Sequence, residues 1–182
     1  MKTKVVALLF LLGIYAPIFA QDKLITKTGH VWFYSHAPLE DIEAHTRQAV
    51  AIIITAKGTI AVMIPIMSFE FRKTLMQEHF NENYMESAKY PKATFTGSIN
   101  NLSDINPKKN GIYKTVVEGE LTIHNITKHI KVAGTVEVKD GKCNVKSTFK
   151  VQLKDYNIAI ESRFSKNIAP VIEVNIDLSF YS

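Results

Sequence analysis

Six histidines, one cysteine and a single Glu-His pair are the side chains from which this sequence could assemble reactive chemistry. His30 and His36 share one parity of an extended segment, and no Cys or carboxylate stands beside them at the spacing a zinc ion requires. His124 and His129 flank Asn125-Ile126-Thr127-Lys128, where they read as solvated loop residues rather than a metal pair. Glu78-His79 could support acid–base work, but no second carboxylate occupies a matching position, so a residue covering one end of the fold is the simpler reading. Cys143 falls in parity with Val145, Phe149 and Val151 and reads as a small buried hydrophobe. Being alone, it leaves no partner for an intrachain disulfide. Gly-x-Ser-x-Gly, Ser-x-x-Lys and glycine-rich phosphate loops are all missing. The expectation is a protein that is not an enzyme and needs neither metal nor cofactor.

Length and charge narrow the class. The 182 residues suffice for one domain with a real core. Lys2 and Lys4, the apolar run Val5 to Ile14, the break at Pro17 and the small Ala20 before Gln21 have the layout of a secretory signal peptide. The expected division is therefore a signal peptide at 1–20 and a mature domain at 21–182, destined for the periplasm or the cell exterior. Loss of Lys2 and Lys4 takes the 22 Lys+Arg to 20 against 17 Asp+Glu, a net charge of +3. That is too little, and too scattered, to mark a nucleic-acid binder. Lys108-Lys109, the densest basic cluster, sits between Pro107 and Gly111 as a solvated turn. No later stretch is long enough for a permanent membrane anchor.

The elements that would carry any site follow from periodicity. Ile60, Val62, Ile64 and Ile66 alternate with less apolar neighbours, and so do Val117, Gly119, Leu121 and Ile123. Ile130 to Val138, Cys143 to Val151, and Ile172 to Phe180 repeat the pattern. Sustained alternation means antiparallel strands with one wet and one dry face. Eight strands are expected, at 29–36, 47–55, 59–66, 93–101, 112–124, 127–139, 142–152 and 170–181. The first hairpin is expected to turn through Ala56-Lys57-Gly58, pairing Ile54 with Ile60 and turning Val50, Ile52 and Ile54 inward. Phe71, Leu75, Met76, Phe80 and Tyr84 fall at helical spacing, so 69–85 is expected to be one amphipathic helix capped by Ser68.

Eight long strands in an open sheet would leave two exposed edges, and closure removes them. The fold class is therefore all-β with one helix, an eight-stranded antiparallel barrel with an apolar interior. Such a barrel can be filled by its own side chains or can hold one small ligand. Gly97, Gly119, Gly134 and Ser147 on the inward parity favour a tunnel, although the same residues could mark bends or close approaches. Phe33, Val62, Ile64, Phe95, Ile123, Val132, Phe149 and Ile176 are the candidate lining of that tunnel. Leu75, Met76 and Phe80 are a candidate lid, or else pack on the barrel flank.

Two stretches carry a likeness to a known family. One runs from Leu75 through His79, Phe80 and Tyr84 to Tyr90-Pro91-Lys92-Ala93-Thr94-Phe95-Thr96-Gly97; the other is Val117-Glu118-Gly119-Glu120-Leu121-Thr122-Ile123-His124-Asn125-Ile126-Thr127-Lys128. Together they resemble the YceI-like family of exported proteins, whose short aromatic segment has a counterpart in Asp155-Tyr156-Asn157-Ile158. The resemblance implies a lipocalin-like barrel that binds polyisoprenoid or other long-chain amphipathic lipids and sequesters or shuttles them in the cell envelope. The alternative is a structural or partner-binding barrel with a filled core. Two departures matter. Asn125 replaces the hairpin glycine but still tolerates a left-handed turn. Where many members carry Arg-Asp-x-His-Leu, this chain has Arg72-Lys73, so a headgroup role tied to that pair does not transfer. Neither the ligand's headgroup nor the oligomeric state is legible.

Overall fold

The computed structural model describes residues 23–180. The expected leader, with its cut after Ala20, lies outside the described residues. Nine strands run in chain order: β1 Lys23–His36, β2 Asp41–Ile54, β3 Thr59–Pro65, the short β4 Glu70–Phe71, β5 Lys92–Ile99, β6 Gly111–Ile123, β7 Ile126–Lys139, β8 Lys142–Gln152 and β9 Val171–Phe180. Eight of them form one antiparallel sheet in the order β1-β9-β8-β7-β6-β5-β3-β2, and β1 pairs with β2 to close it. The β1–β2 pairing removes the two free edges that an open sheet would have. β4 is a two-residue addition against Ala44 and His45 of β2.

Turn chemistry explains the hairpins. His124 and Asn125, both at positive φ (50° and 60°), form a two-residue turn between Ile123 and Ile126. Positive φ at both centres matches the right-handed twist of the flanking strands. Asp140 and Gly141 do the same between β7 and β8.

The first hairpin departs from expectation. Ile53 pairs with Ile60 and Ala51 with Val62, across a four-residue loop in which Lys57 N–H donates to the Ile54 carbonyl at 3.1 Å. The inward set is Ala49, Ala51 and Ile53, while Ile52 lies outside opposite Ile25. Two causes combine. The β1–β2 ladder shifts register around Gly29, so Ala44 and Thr46 point inward before the shift and Ala49 and Ala51 after it. Small residues are also required there, because Gly29 packs directly on Leu178 and Ala49. The larger aliphatics are thereby left on the outer wall, where alternation alone misreads them.

The helix is shorter than its periodicity suggested. Only Thr74–His79 (α1) is α-helical, followed by a wide π turn over Phe80–Tyr84. Ser68 caps nothing: its Oγ lies 2.6 Å from Thr46 Oγ1 and 2.6 Å from the Pro65 carbonyl, which pins the chain leaving β3. Phe69 and Phe71 belong to the strip that reaches β2.

Two long excursions, 66–91 and 153–170, lie at the same end of the barrel as the β1–β2 turn and the β6–β7 hairpin. The opposite end is filled by a hydrophobic cluster. Ile53, Ile60, Ile99, Val136, Val138, Val145, Leu178 and Phe180 form its core, with Leu102, Ile105, Tyr113 and Cys143 against them. Burial holds the Cys143 thiol in its protonated form by raising its pKa. One joint in the wall is incomplete. The β7–β8 ladder runs from Lys139↔Lys142 only to Gly134↔Ser147, although β7 stays paired to β6 as far as Ile126 and β8 to β9 as far as Gln152. Leu153, Tyr156 and Ile158 cluster there with Ile126, Ile130 and Phe149.

Candidate functional site

The barrel is hollow from its middle to the end bearing the two excursions. The cavity has a volume of about 340 Å³, within the range of small-molecule pockets. Its wall is built from the dry parity of the strands, and Phe33, Val62, Ile64, Phe95, Ile123, Val132, Phe149 and Ile176 all line it. Ile60, Thr115, Val145 and Leu178 meet it at the floor, where the filled core begins. The floor hydroxyls are committed to the protein. Thr115 Oγ1 donates to Asn101 Oδ1 at 2.9 Å and Ser147 Oγ to the Ala133 carbonyl at 2.8 Å. A guest reaching this depth would find neither hydroxyl proton free to donate.

The small residues divide between the two readings open in the sequence. Gly97 and Gly119 face each other across β5 and β6, and a Cβ on either would collide with backbone, so they mark a close approach. Gly134 and Ser147 line the cavity, and Gly134 also marks a close approach, since a Cβ there would meet the Lys146 carbonyl.

At the mouth the chemistry changes. Phe80 packs with Phe33, Phe69 and Phe71 at ring-centroid distances of 5.6, 5.8 and 5.0 Å, a cluster bridging the barrel and the 66–91 excursion. Such offset and edge-on pairs add to the area they bury. Of the three candidate lid residues, Met76 and Phe80 line the cavity, whereas Leu75 is 60% exposed and points away. Tyr84, His79, Glu40, Asn167, Phe164 and Ile168 complete the mouth. Glu40 Oε1 accepts from Lys73 Nζ at 2.9 Å and Oε2 from Asn167 Nδ2 at 3.4 Å, tying the β1–β2 turn to both excursions. The Lys73 hydrogen bond holds the Glu40 carboxyl below the usual range, against an opposing effect of burial. Burial, with Glu161 nearby, raises the Tyr84 phenol, which stays a neutral donor.

The histidines gather nothing metal-like among the described residues. His124 departs from the solvated-loop reading. Its side chain is 10% exposed, with Nδ1 donating to the Tyr156 carbonyl at 3.1 Å and Nε2 2.8 Å from Glu86 Oε2, so it cross-links the hairpin to both excursions. His129 sits on the outer wall between Glu118 and Glu120. His30 stacks on Trp32 and meets His45 across β1 and β2 at 3.1 Å. No signal of periodicity marked Glu40, Phe164, Asn167 or Ile168, because each sits in a turn or an irregular segment.

A closed antiparallel barrel, packed at one end and hollow and apolar at the other, defines a lipocalin-like barrel. The chain belongs to the YceI-like family: residues 23–180 match the YceI-like domain. Its fold is similar to that of a polyisoprenoid-binding domain from Saccharophagus degradans implicated in plant cell wall breakdown, with a TM-score of 0.77 and 17% identity over 88% of this chain and 98% of that one. It is similar also to BcnA of Burkholderia cenocepacia (TM-score 0.69, 17% identity, 85% and 96% covered). A third likeness is to the YceI protein of Campylobacter jejuni (TM-score 0.60, 20% identity, 81% and 89% covered). A comparison with curated proteins finds no match.

Proposed function

We propose that the barrel binds one long-chain amphipathic lipid, of polyisoprenoid or fatty-acyl type, and carries it without altering it. The observation that supports this most is the cavity itself, lined mainly by aliphatic and aromatic side chains, open at one end, with Glu40, His79, Tyr84 and Asn167 grouped at its mouth. That polarity gradient suits a guest with an apolar tail and a polar head. The polyisoprenoid-binding domain among the similar folds agrees with it. Among the described residues, the hydroxyls of Ser35, Thr115 and Ser147 in the lining bond to backbone or amide groups rather than to a base, which favours binding over catalysis. The filled-core alternative describes only the closed half of the barrel. With the leader expected at 1–20, the place of action would be the periplasm or the cell exterior, where a lipid needs a carrier to cross water.

The test is an organic extract of the protein purified from the envelope fraction, analysed by mass spectrometry, with the N-terminus read on the same sample. A lipid in stoichiometric yield and a chain beginning at Gln21 are expected. Titration of delipidated protein with n-alkyl and prenyl alcohols should then show saturable affinity that rises with chain length until the cavity is full. Each buried methylene contributes about 0.8 kcal/mol at most. Binding that is non-saturable or independent of length would refute the reading.

A further inference from the structure

Resting on the lipid-binding reading above, we propose that the mouth selects guests ending in an uncharged hydrogen-bonding group, an alcohol or a carbonyl, over guests ending in phosphate or diphosphate, and that Glu40 sets this choice. The cavity floor offers a headgroup no free hydroxyl donor, since Thr115 and Ser147 donate their protons to the protein. The head must therefore remain at the mouth, where Glu40 is part of the lining. Its side chain is 26% exposed, so its charge is only partly screened by solvent.

Three cations near the mouth face carboxylates of their own. Lys73 is held by Glu40 at 2.9 Å, Arg163 by Glu161 at 2.8 Å, and Arg72 lies 3.8 Å from Glu43. Lys146, which also borders the cavity, is 3.8 Å from Asp177 through its ammonium. A diphosphate would have to draw Lys73 off Glu40 and leave a carboxylate beside its own charge, and like charges so placed are costly. Neutral donors, by contrast, are at hand. The Asn167 amide has two N–H groups and spends one on a long 3.4 Å bond to Glu40. The Tyr84 hydroxyl and the His79 ring border the same opening. A hydroxyl or carbonyl oxygen can accept from these without disturbing the ion pair.

The experiment compares geranylgeraniol with geranylgeranyl diphosphate, which share one chain, on the delipidated protein by calorimetry. At low ionic strength the alcohol should bind tighter by about tenfold or more. Added salt should narrow that ratio by improving the diphosphate, since screening relieves repulsion. Glu40→Gln should narrow it further, because the variant removes the opposing charge and frees Lys73. Diphosphate binding as tight as the alcohol, or weakened by salt, overturns the proposal, and so does an unchanged ratio in folded Glu40→Gln. Should that variant fail to fold, the salt series on the wild-type protein decides. Equal binding of both compounds removes the selectivity but leaves the lipid-binding reading intact. Failure of both, and of the alkyl alcohols, removes the two together.

Discussion

Truncating Leu178 to alanine is expected to destabilise the fold by about 2–5 kcal/mol, read from the midpoint of urea unfolding at unchanged slope. Leu178 is 1% exposed and packs against Gly29 at the level where the cavity ends and the filled core begins. Its neighbours Val145 and Phe180 are held by strands whose pairing cannot shift without breaking ladders. The site therefore cannot collapse around the missing atoms, and the transfer and cavity costs add. The control is Lys131→Ala. That side chain is 63% exposed, with its ammonium 3.5 Å from Glu118, and should change stability by less than about 0.5 kcal/mol. Similar losses in the two variants would mean that both ends of the barrel are hollow.

A bulky residue in the hollow half should do the reverse. Val132 lines the cavity wall opposite Val117. Val132→Trp would fill the space three or four methylenes of a guest would occupy, so affinity should fall by about a hundredfold at about 0.8 kcal/mol per methylene. The same ring at Val138, which is 4% exposed in the packed end, should overpack it and cost about 1–3 kcal/mol of stability. Binding and stability are thereby assigned to opposite halves of one barrel. Undiminished binding in Val132→Trp would place the guest elsewhere.

How legible the sequence is depends on whether a side chain's environment is set by its own strand. For β6, β7, β8 and β9 it is: one wall face is wet, so alternation reports the interior directly, and Val117, Val132, Phe149 and Ile176 line the cavity. For β2 it is not. Ile52 and Ile25 meet on the outer wall, so both faces carry apolar residues and period two loses its sign. The register was then decided by Gly29, Ala49 and Leu178, three residues far apart in sequence that share one crowded spot. Phe71 kept helical spacing with Phe80, yet their rings meet because β4 reaches β2, a tertiary contact no local pattern encodes. The mouth is the least legible part. Glu40 and Asn167 are 127 residues apart and meet only because the barrel brings two loops to the same end.

The short ladder between β7 and β8 gives the wall an uneven resistance to solvent. Around most of the ring, neighbouring strands are bound by backbone hydrogen bonds, but beside Ile126–Ala133 the enclosure is completed by the side chains of Leu153, Tyr156 and Ile158. Successive amides of a strand point to opposite neighbours. About half of those in 126–133 therefore lack a β8 partner, although they lie midway round a closed cylinder. Their deuterium uptake should resemble that of a sheet margin, while amides of 134–139 on the same strand stay protected until the domain unfolds as a whole. A single strand would then report both local and global opening, with the boundary at Gly134, where the ladder ends.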